Sequence, residues 1–337
     1  MIIIMEKKLK FALIGATGLV GRTVIKILEE QNLPISEYSF FASSKSKDKI
    51  INFMNKDYKV KELTENSFDD NFDYSIFCAG NNIAQKFAPI AKSHGTIVID
   101  NSSAFRMDDD VPLIVPEVNI SSAYNNKGII ANPNCSTIQA VVALKPLDTK
   151  YKIKRIIYST YQAVSGAGRY GIEDLENGIK GIPPKKFPYP IYNNCLPHID
   201  TFLENNYTKE EMKMINETRK ILDNPDLEIT ATAVRVPVFN CHCESINIEF
   251  YDNFILKDLI DLLKNSPGIV IMNDTINNIY PIPTSVSGTD NVYVGRIRRD
   301  FSVKSGINLW VVADNVRKGA ATNAVQILKE LIKKEEN

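Results

Sequence analysis

Residues 128–140 read GIIANPNCSTIQA: an apolar run, an Asn-Pro-Asn step, and then Cys135, from which a helical pattern sets off. A thiolate at a helix N-terminus is stabilised by unpaired backbone N–H groups and by the helix dipole, which lowers its pKa and makes it nucleophilic near neutral pH. Position makes Cys135 a candidate nucleophile, although free cysteine is also among the most buried residue types and packs readily as a small core group. A second signal is GATGLVG, with glycines at 15, 18 and 21, directly after the run KFALI. Small residues at such a turn let the backbone approach a pyrophosphate while the following helix N-terminus stabilises its charge. Gly15, Thr17, Gly18, Leu19, Val20 and Gly21 form the expected dinucleotide cradle. The end of the second strand selects the cofactor: FASSKSKDK offers Ser43, Lys45 and Ser46, and no carboxylate before Asp48. Hydroxyls and an ammonium suit a ribose 2′-phosphate, whereas an NAD site usually has an acidic residue there, so NADP is the expected cofactor.

The elements that must hold these groups follow from the apolar pattern. The first third alternates β-rich runs with helical ones: KFALIG, a helix over about 19–31, YSFFAS, DYSIFCAG, a helix over about 83–94, then GTIVIDNS. That repeat predicts an α/β fold with a Rossmann-like, doubly wound parallel sheet. After Cys135, STIQAVVALKPL predicts a helix ending near Pro146, and KIKRIIYSTYQAV a strand running into SGAGRYG. A proline-studded stretch, a charged helix over about 208–222, and the strands TATAVRVPV and CESINIEFY follow. This order predicts an α+β domain with a mixed, largely antiparallel sheet and helices on one face. Ala320, Ala324, Ile327, Leu328 and Leu331 recur at helical spacing and predict a tail helix that packs on the first domain. The expected division is 1–134, completed by a C-terminal helix 315–337, for NADP binding, and 135–314 for catalysis and dimerisation.

Forty basic residues balance forty acidic ones, so no global field draws the chain to nucleic acid or an anionic membrane, and anionic ligands must be held by local clusters. The opening MIIIMEKKLK is apolar for only five residues and carries its positive charges on the wrong side for a signal peptide; a cytoplasmic location is expected. Five cysteines, at 78, 135, 195, 241 and 243, form no dense, even framework and are expected to be thiols.

GATGLVG, SSAFRMDDDVPLIVPEVN at 102–119, NPNCST at 132–137, YQAVSGAGRYG at 161–171, RVPVFNCHCESINIEF at 235–250 and DNVRKGAATNAVQ at 314–326 span nearly the whole chain. Together, and in this order, they resemble aspartate-semialdehyde dehydrogenase. The resemblance implies NADPH-dependent reduction of β-aspartyl phosphate to aspartate β-semialdehyde and phosphate, on the route to lysine, threonine and methionine, by a homodimer or a dimer of dimers. It implies Cys135 as the nucleophile, His242 as the proton-transfer group and Gln162 as the residue that orients the substrate. Arg106, Asn134 and Lys213 are implied as phosphate contacts, Arg235 as the partner of the substrate α-carboxylate, and Glu210 as that of the α-amino group. Gly80, Ser165, Gly166 and Asn315 join the implied cofactor set, with Asn315 near the nicotinamide carboxamide. The chemistry suits the residues: a thiolate that displaces phosphate leaves a thioester, whose carbonyl accepts hydride readily.

Many relatives carry Gly-His-Ser where this chain has Cys241-His242-Cys243. Alternation along a strand sends His242 to one face and both cysteines to the other, so no metal site is expected, and oxidation sensitivity is the remaining consequence. Asn81-Asn82 likewise replaces the usual small residues after Gly80. N-acetyl-glutamyl-phosphate reductase and malonyl-CoA reductase share the fold and the cysteine logic, and a dinucleotide sensor without turnover is the alternative from another class.

Overall fold

The computed structural model describes residues 8–336; residues 1–7, which include the apolar opening read for a signal peptide, and Asn337 lie outside the described residues. Two compact units emerge. One comprises the chain up to 116 with 120–133 and the tail from 321; the other comprises 117–119 and 134–320.

In the first unit the strands are β1 (Leu9–Ile14), β2 (Ile35–Ala42), β3 (Ile50–Phe53), β4 (Lys56–Lys59), β5 (Lys61–Glu62), β6 (Tyr74–Phe77), β7 (Ile97–Asp100) and β8 (Ile129–Ala131). Six of them form a sheet of order β5-β2-β1-β6-β7-β8 with every pair parallel, while β3 and β4 make a separate antiparallel hairpin. Parallel strands are covered on both faces, which is why β6 is buried at all four positions and β1 from Phe11 to Ile14. Helices α1 (Leu19–Gln31) and α2 (Asn81–Ser93) follow β1 and β6; a single turn, α3 (Pro116–Asn119), comes before β8 in the chain, with its last three residues in the second unit. The chain leaves β1 for β2 on one side and returns to β6 on the other, so the ends of β1 and β6 flank the crevice where open α/β sheets bind ligands.

The second unit contains α4 (Cys135–Tyr151), β9 (Ile153–Gln162), α5 (Arg169–Ile179), α6 (Lys209–Leu222), β10 (Glu228–Arg235), β11 (His242–Phe250), α7 (Leu256–Lys264), β12 (Ile269–Ile271), α8 (Pro283–Val286), β13 (Val292–Arg299) and β14 (Gly306–Ala313). Its mixed sheet has the order β10-β9-β11-β14-β13-β12, antiparallel at the three central pairs and parallel at each edge. Along β11, His242, Glu244, Ile246, Ile248 and Phe250 are buried, whereas Ser245, Asn247 and Glu249 on the other face are only half-buried. Helix α4 does not stop near Pro146 as the sequence suggests but runs on to Tyr151. Proline there forfeits one backbone hydrogen bond. Continuous burial from Ser136 to Leu144, and again at Leu147 and Tyr151, holds the helix through it, and Lys152 at φ 58° ends it.

The C-terminal helix α9 (Asn323–Glu336) belongs to the first unit, where Ala324, Val325, Ile327, Leu328 and Leu331 share one core with Phe11, Leu13 and Ile76. Among the described residues no helix is long and apolar enough to cross a membrane.

Candidate active site

Cys135 is half-buried at the first position of α4. Asn134 caps that helix: its Oδ1 accepts the N–H groups of Ser136 at 3.0 Å and Thr137 at 3.4 Å. Two amides that the sequence left open for a thiolate are therefore engaged. What favours a thiolate is the helix dipole together with the guanidinium of Arg235, whose charge couples to Cys135. Asn134 is itself fixed by α6, its N–H donating to Glu217 Oε2 at 2.7 Å and its Nδ2 to Glu210 Oε1 at 2.9 Å. On the other side stands Gly319, where a Cβ would lie 2.9 Å from the Cys135 Cβ.

Glu210 collects three donors: Asn134 Nδ2, Gln162 Nε2 at 3.3 Å, and Lys213 Nζ at 3.1 Å. Burial pushes its pKa up, but the Lys213 charge and the Asn134 hydrogen bond more than offset this, so the carboxylate stays ionised. Lys213 also donates to Asp200 at 2.9 Å. The acidic start of α6 is a built feature rather than a solvated face. Thr208 and Glu211 form a reciprocal capping box, and Glu211 Oε1 takes the Ala233 N–H of β10 at 3.0 Å. Arg235, at the end of β10, is buried; it donates to the Ala163 carbonyl at 2.7 Å and lies 6.0 Å from the centre of the Phe187 ring.

His242 opens β11 and is fully buried. Its Nδ1 accepts the Ala163 N–H at 3.0 Å, so a neutral ring carries its proton on Nε2. Nε2 makes no hydrogen bond and faces Gly166, where a Cβ would be 3.1 Å from Nε2 and 2.8 Å from an Arg235 nitrogen. Burial, and then the Arg235 charge, pull the imidazole pKa to about 3 against the pull of Glu210, leaving His242 an uncharged donor at neutral pH. Cys241 just before it is left-handed, at φ 71°, a conformation that costs a non-glycine residue about 1–2 kcal/mol. Its N–H donates to Asn315 Oδ1 at 2.9 Å, and Ser165 Oγ sits 3.1 Å from that oxygen and 3.0 Å from Asn315 Nδ2.

Cys241 and Cys243 join an apolar cluster with Val286 and Val312. The oxidation sensitivity expected from the sequence is corrected here: both thiols are buried, and burial raises the pKa of each, Cys243 to about 12. Among the described residues no group of three or more His, Cys, Asp or Glu could hold a metal ion. His94 caps α2 and reaches Asp69, and His198 stacks on Phe202.

In the first unit, Gly15 has φ 84°, and a Cβ there would lie 2.7 Å from the Cys78 carbonyl oxygen; at Gly21 it would lie 2.2 Å from that of Gly15. Only glycine allows this turn. Gly18 caps α1 without a side-chain hydrogen bond, and the first turn holds no acidic residue, so the helix N-terminus is fitted to an anion. Beyond β2, Ser43 and Lys45 are exposed and Ser46 is half-buried, with Thr17 Oγ1 donating to Ser46 Oγ at 3.3 Å. Gly80, at φ 83°, caps α2 with open space around it. Arg106 is buried and donates to the carbonyls of Asn101 and Asn132, each at 2.9 Å.

The profile of the semialdehyde dehydrogenase NAD binding domain matches residues 10–126, and that of the semialdehyde dehydrogenase dimerisation domain matches residues 144–318. The aspartate-semialdehyde dehydrogenase of Aquifex aeolicus is 51% identical over 96% of this chain and 98% of its own length. The chain belongs to the aspartate-semialdehyde dehydrogenase family. The aspartate-semialdehyde dehydrogenase of Campylobacter jejuni is 46% identical over 97% of this chain and 98% of its own. A crystal structure of aspartate-semialdehyde dehydrogenase II from Vibrio cholerae superposes with a TM-score of 0.93 at 44% identity, covering 97% of this chain and 99% of that one; a second structure of that enzyme is a complex with ASA.

For this member of the aspartate-semialdehyde dehydrogenase family, the second unit gathers Asn134, Cys135, Gln162, Glu210, Lys213, Arg235 and His242, with Ser165, Gly166 and Asn315 beside them. Arg106 and the glycine turn belong to the first unit. Sequence reasoning missed Glu217, seven residues after Glu210 on the same helix, and Phe187, whose loop is fixed by Asp174 accepting the N–H groups of Lys185, Lys186 and Phe187. The i, i+7 spacing of the two glutamates was the available signal for Glu217.

Proposed function

We propose that the protein is an NADP-dependent, phosphorylating aspartate-semialdehyde dehydrogenase, reversibly reducing 4-phospho-L-aspartate to L-aspartate 4-semialdehyde and phosphate through a thioester on Cys135. The observation that carries this reading is one buried cluster. A thiol at a helix N-terminus shares it with a guanidinium, an ionised carboxylate and a neutral imidazole whose Nε2 has no partner.

The Cys135 thiolate attacks the acyl carbon, the C–O bond to phosphate breaks, and the departing phosphate takes up a proton. Arg106, Asn134 and Lys213 neutralise the phosphate, Arg235 pairs with the α-carboxylate, Glu210 meets the α-ammonium, and Gln162 orients the carbonyl. The Nε2–H of His242 donates to the carbonyl oxygen as negative charge develops there, and its neutrality at pH 7 keeps that proton in place. Collapse of the thiohemiacetal oxyanion breaks the C–S bond and returns the thiolate. NADPH supplies the hydride when bound; the glycine turn, the uncapped start of α1, and Ser43, Lys45 and Ser46 fit its pyrophosphate and 2′-phosphate. Gly80, Ser165, Gly166 and Asn315 complete the cofactor contacts. The 1–134 segment with the tail serves the cofactor, and 135–314 serves catalysis and self-association. A homodimer, or a dimer of dimers, would cover the sheet face opposite α4, where Tyr161, Tyr280 and Ile282 are exposed. The reaction belongs in the cytoplasm, on the route to lysine, threonine and methionine.

The test is NADP reduction with aspartate β-semialdehyde, with and without phosphate. A signal that requires phosphate supports the assignment. Activity only with N-acetyl-glutamate semialdehyde or malonyl-CoA moves the substrate, and silence with all three returns the sensor.

A further inference from the structure

We propose that Asn315 is a positioning residue for His242, acting through the backbone of Cys241. The imidazole is held at two points. Its ring is fixed where Nδ1 accepts the Ala163 N–H, and its backbone is fixed by the residue before it, which enters β11 in the left-handed region at φ 71°. Cys241 carries a Cβ that disfavours this conformation, so holding it has a cost. Two hydrogen bonds meet it there: the Cys241 N–H donates to Asn315 Oδ1 at 2.9 Å and the Cys241 thiol to the Pro283 carbonyl at 3.5 Å, and of the two the first holds the backbone directly.

Asn315 is well placed for the task. It is buried, 4% exposed; the Cys241 N–H, which can only donate, sets the amide oxygen toward it, and Ser165 Oγ lies within hydrogen-bond distance of both ends of the carboxamide. Its oxygen therefore serves the protein's own backbone, and a spare Nδ2 hydrogen is what it can offer a ligand. Removing Oδ1 strands a buried N–H and frees Cys241 to relax to an extended conformation. The peptide leading into His242 then rotates, the bond from Ala163 weakens, and the ring is no longer confined to the tautomer with Nε2–H beside Gly166. The inference rests on the proposed function only in making His242 the proton donor of the reaction.

The test compares Asn315→Ala, Cys241→Gly and the double variant, because glycine adopts φ 71° without the Cβ penalty and needs the clamp less. Side-chain nitrogen NMR of the three histidines reads the His242 tautomer without any substrate. Wild type is expected to show one neutral Nε2–H form from pH 5 to 8. Asn315→Ala is expected to show mixed tautomers and, at saturating NADPH, a kcat lowered about 10–100-fold. Cys241→Gly alone keeps kcat within about twofold, and in the double variant it restores the single tautomer and at least about fivefold of the lost kcat. An Asn315→Ala protein with an unchanged His242 signal, or a double variant as impaired as Asn315→Ala, overturns the proposal. If Asn315→Ala does not fold, Ser165→Ala carries the test, with a smaller shift in the same signal expected and an unmoved signal refuting it. Failure of turnover with every substrate would sink the functional reading while leaving the NMR result to decide this one.

Discussion

A single methyl group at Gly319 tests how tightly the nucleophile is seated. A Cβ there would lie 2.9 Å from Cys135 Cβ, 3.3 Å from its Cα and 3.5 Å from its carbonyl oxygen. Carbon atoms rest at about 3.5–4.0 Å, so the methyl intrudes by about 0.6–1 Å. The Gly319 segment cannot easily retreat. Lys318 is fully buried with its Nζ 2.9 and 2.7 Å from the two Glu117 oxygens, Arg317 makes a two-point pair with Asp290 at 2.9 and 2.7 Å, and the Gly319 N–H is bonded to the Asp314 carbonyl at 3.0 Å. The overlap must then fall on Cys135. Overpacking of this kind costs about 1–3 kcal/mol, and moving a reacting atom by about 1 Å costs about 100-fold in rate. Gly319→Ala is expected to lower kcat by about 10–100-fold and to slow alkylation of Cys135 by iodoacetamide, with KM changed by less than about fivefold. A folded variant with kcat and alkylation rate within twofold of wild type would refute the tight seating of Cys135.

Arg235→Lys keeps the charge but loses the planar fork, and is expected to raise KM for the semialdehyde about 10–100-fold with a smaller change in kcat; an unchanged KM rules out Arg235 as the carboxylate partner. Glu217→Leu leaves the buried Asn134 N–H without its 2.7 Å acceptor and is expected to cost about 1–3 kcal/mol, read as a lower urea midpoint; an unchanged midpoint contradicts this. His242 binds a proton below pH 6.5 when unfolded but only near pH 3 when folded, so stability falls as pH drops from 6.5 toward 3. His242→Gln should flatten that part of the profile, and a profile as steep as wild type argues against a neutral buried ring. Cys195 is exposed and should react with a thiol reagent in the native protein, whereas Cys241 and Cys243 should react only after denaturation; rapid modification of either would show that their burial is not maintained.

The parallel sheet was legible because strands covered on both faces must be apolar throughout, as β1 and β6 are. The hairpin of β3 and β4 was not. Its turn places Met54 and Asn55 at φ 49° and 60°, a left-handed pair that Asn-Gly usually announces and Met-Asn does not. Helix α4 crosses Pro146 because burial before it, from Ser136 to Leu144, and after it, at Leu147 and Tyr151, outweighs one missing hydrogen bond, a tertiary effect that no local pattern carries. At the candidate site, residue types pointed to Cys135 as a nucleophile, and the resemblance supplied His242 and Arg235. Their settings could not be read in advance. The acids of α6 look solvated in sequence because their donors, Asn134, Gln162 and the Ala233 N–H, come from distant stretches of chain. The bond from Cys241 to Asn315 likewise spans 74 residues.

The central claim is a thioester on Cys135, and rapid mixing with aspartate β-semialdehyde and NADP in the absence of phosphate tests it most directly. The account predicts a burst of NADPH equal to one per active site, an acyl group recovered on the peptide containing Cys135, discharge of that group when phosphate is added, and no burst in Cys135→Ala. A burst that survives in Cys135→Ala, or an acyl group recovered on another residue, would contradict it.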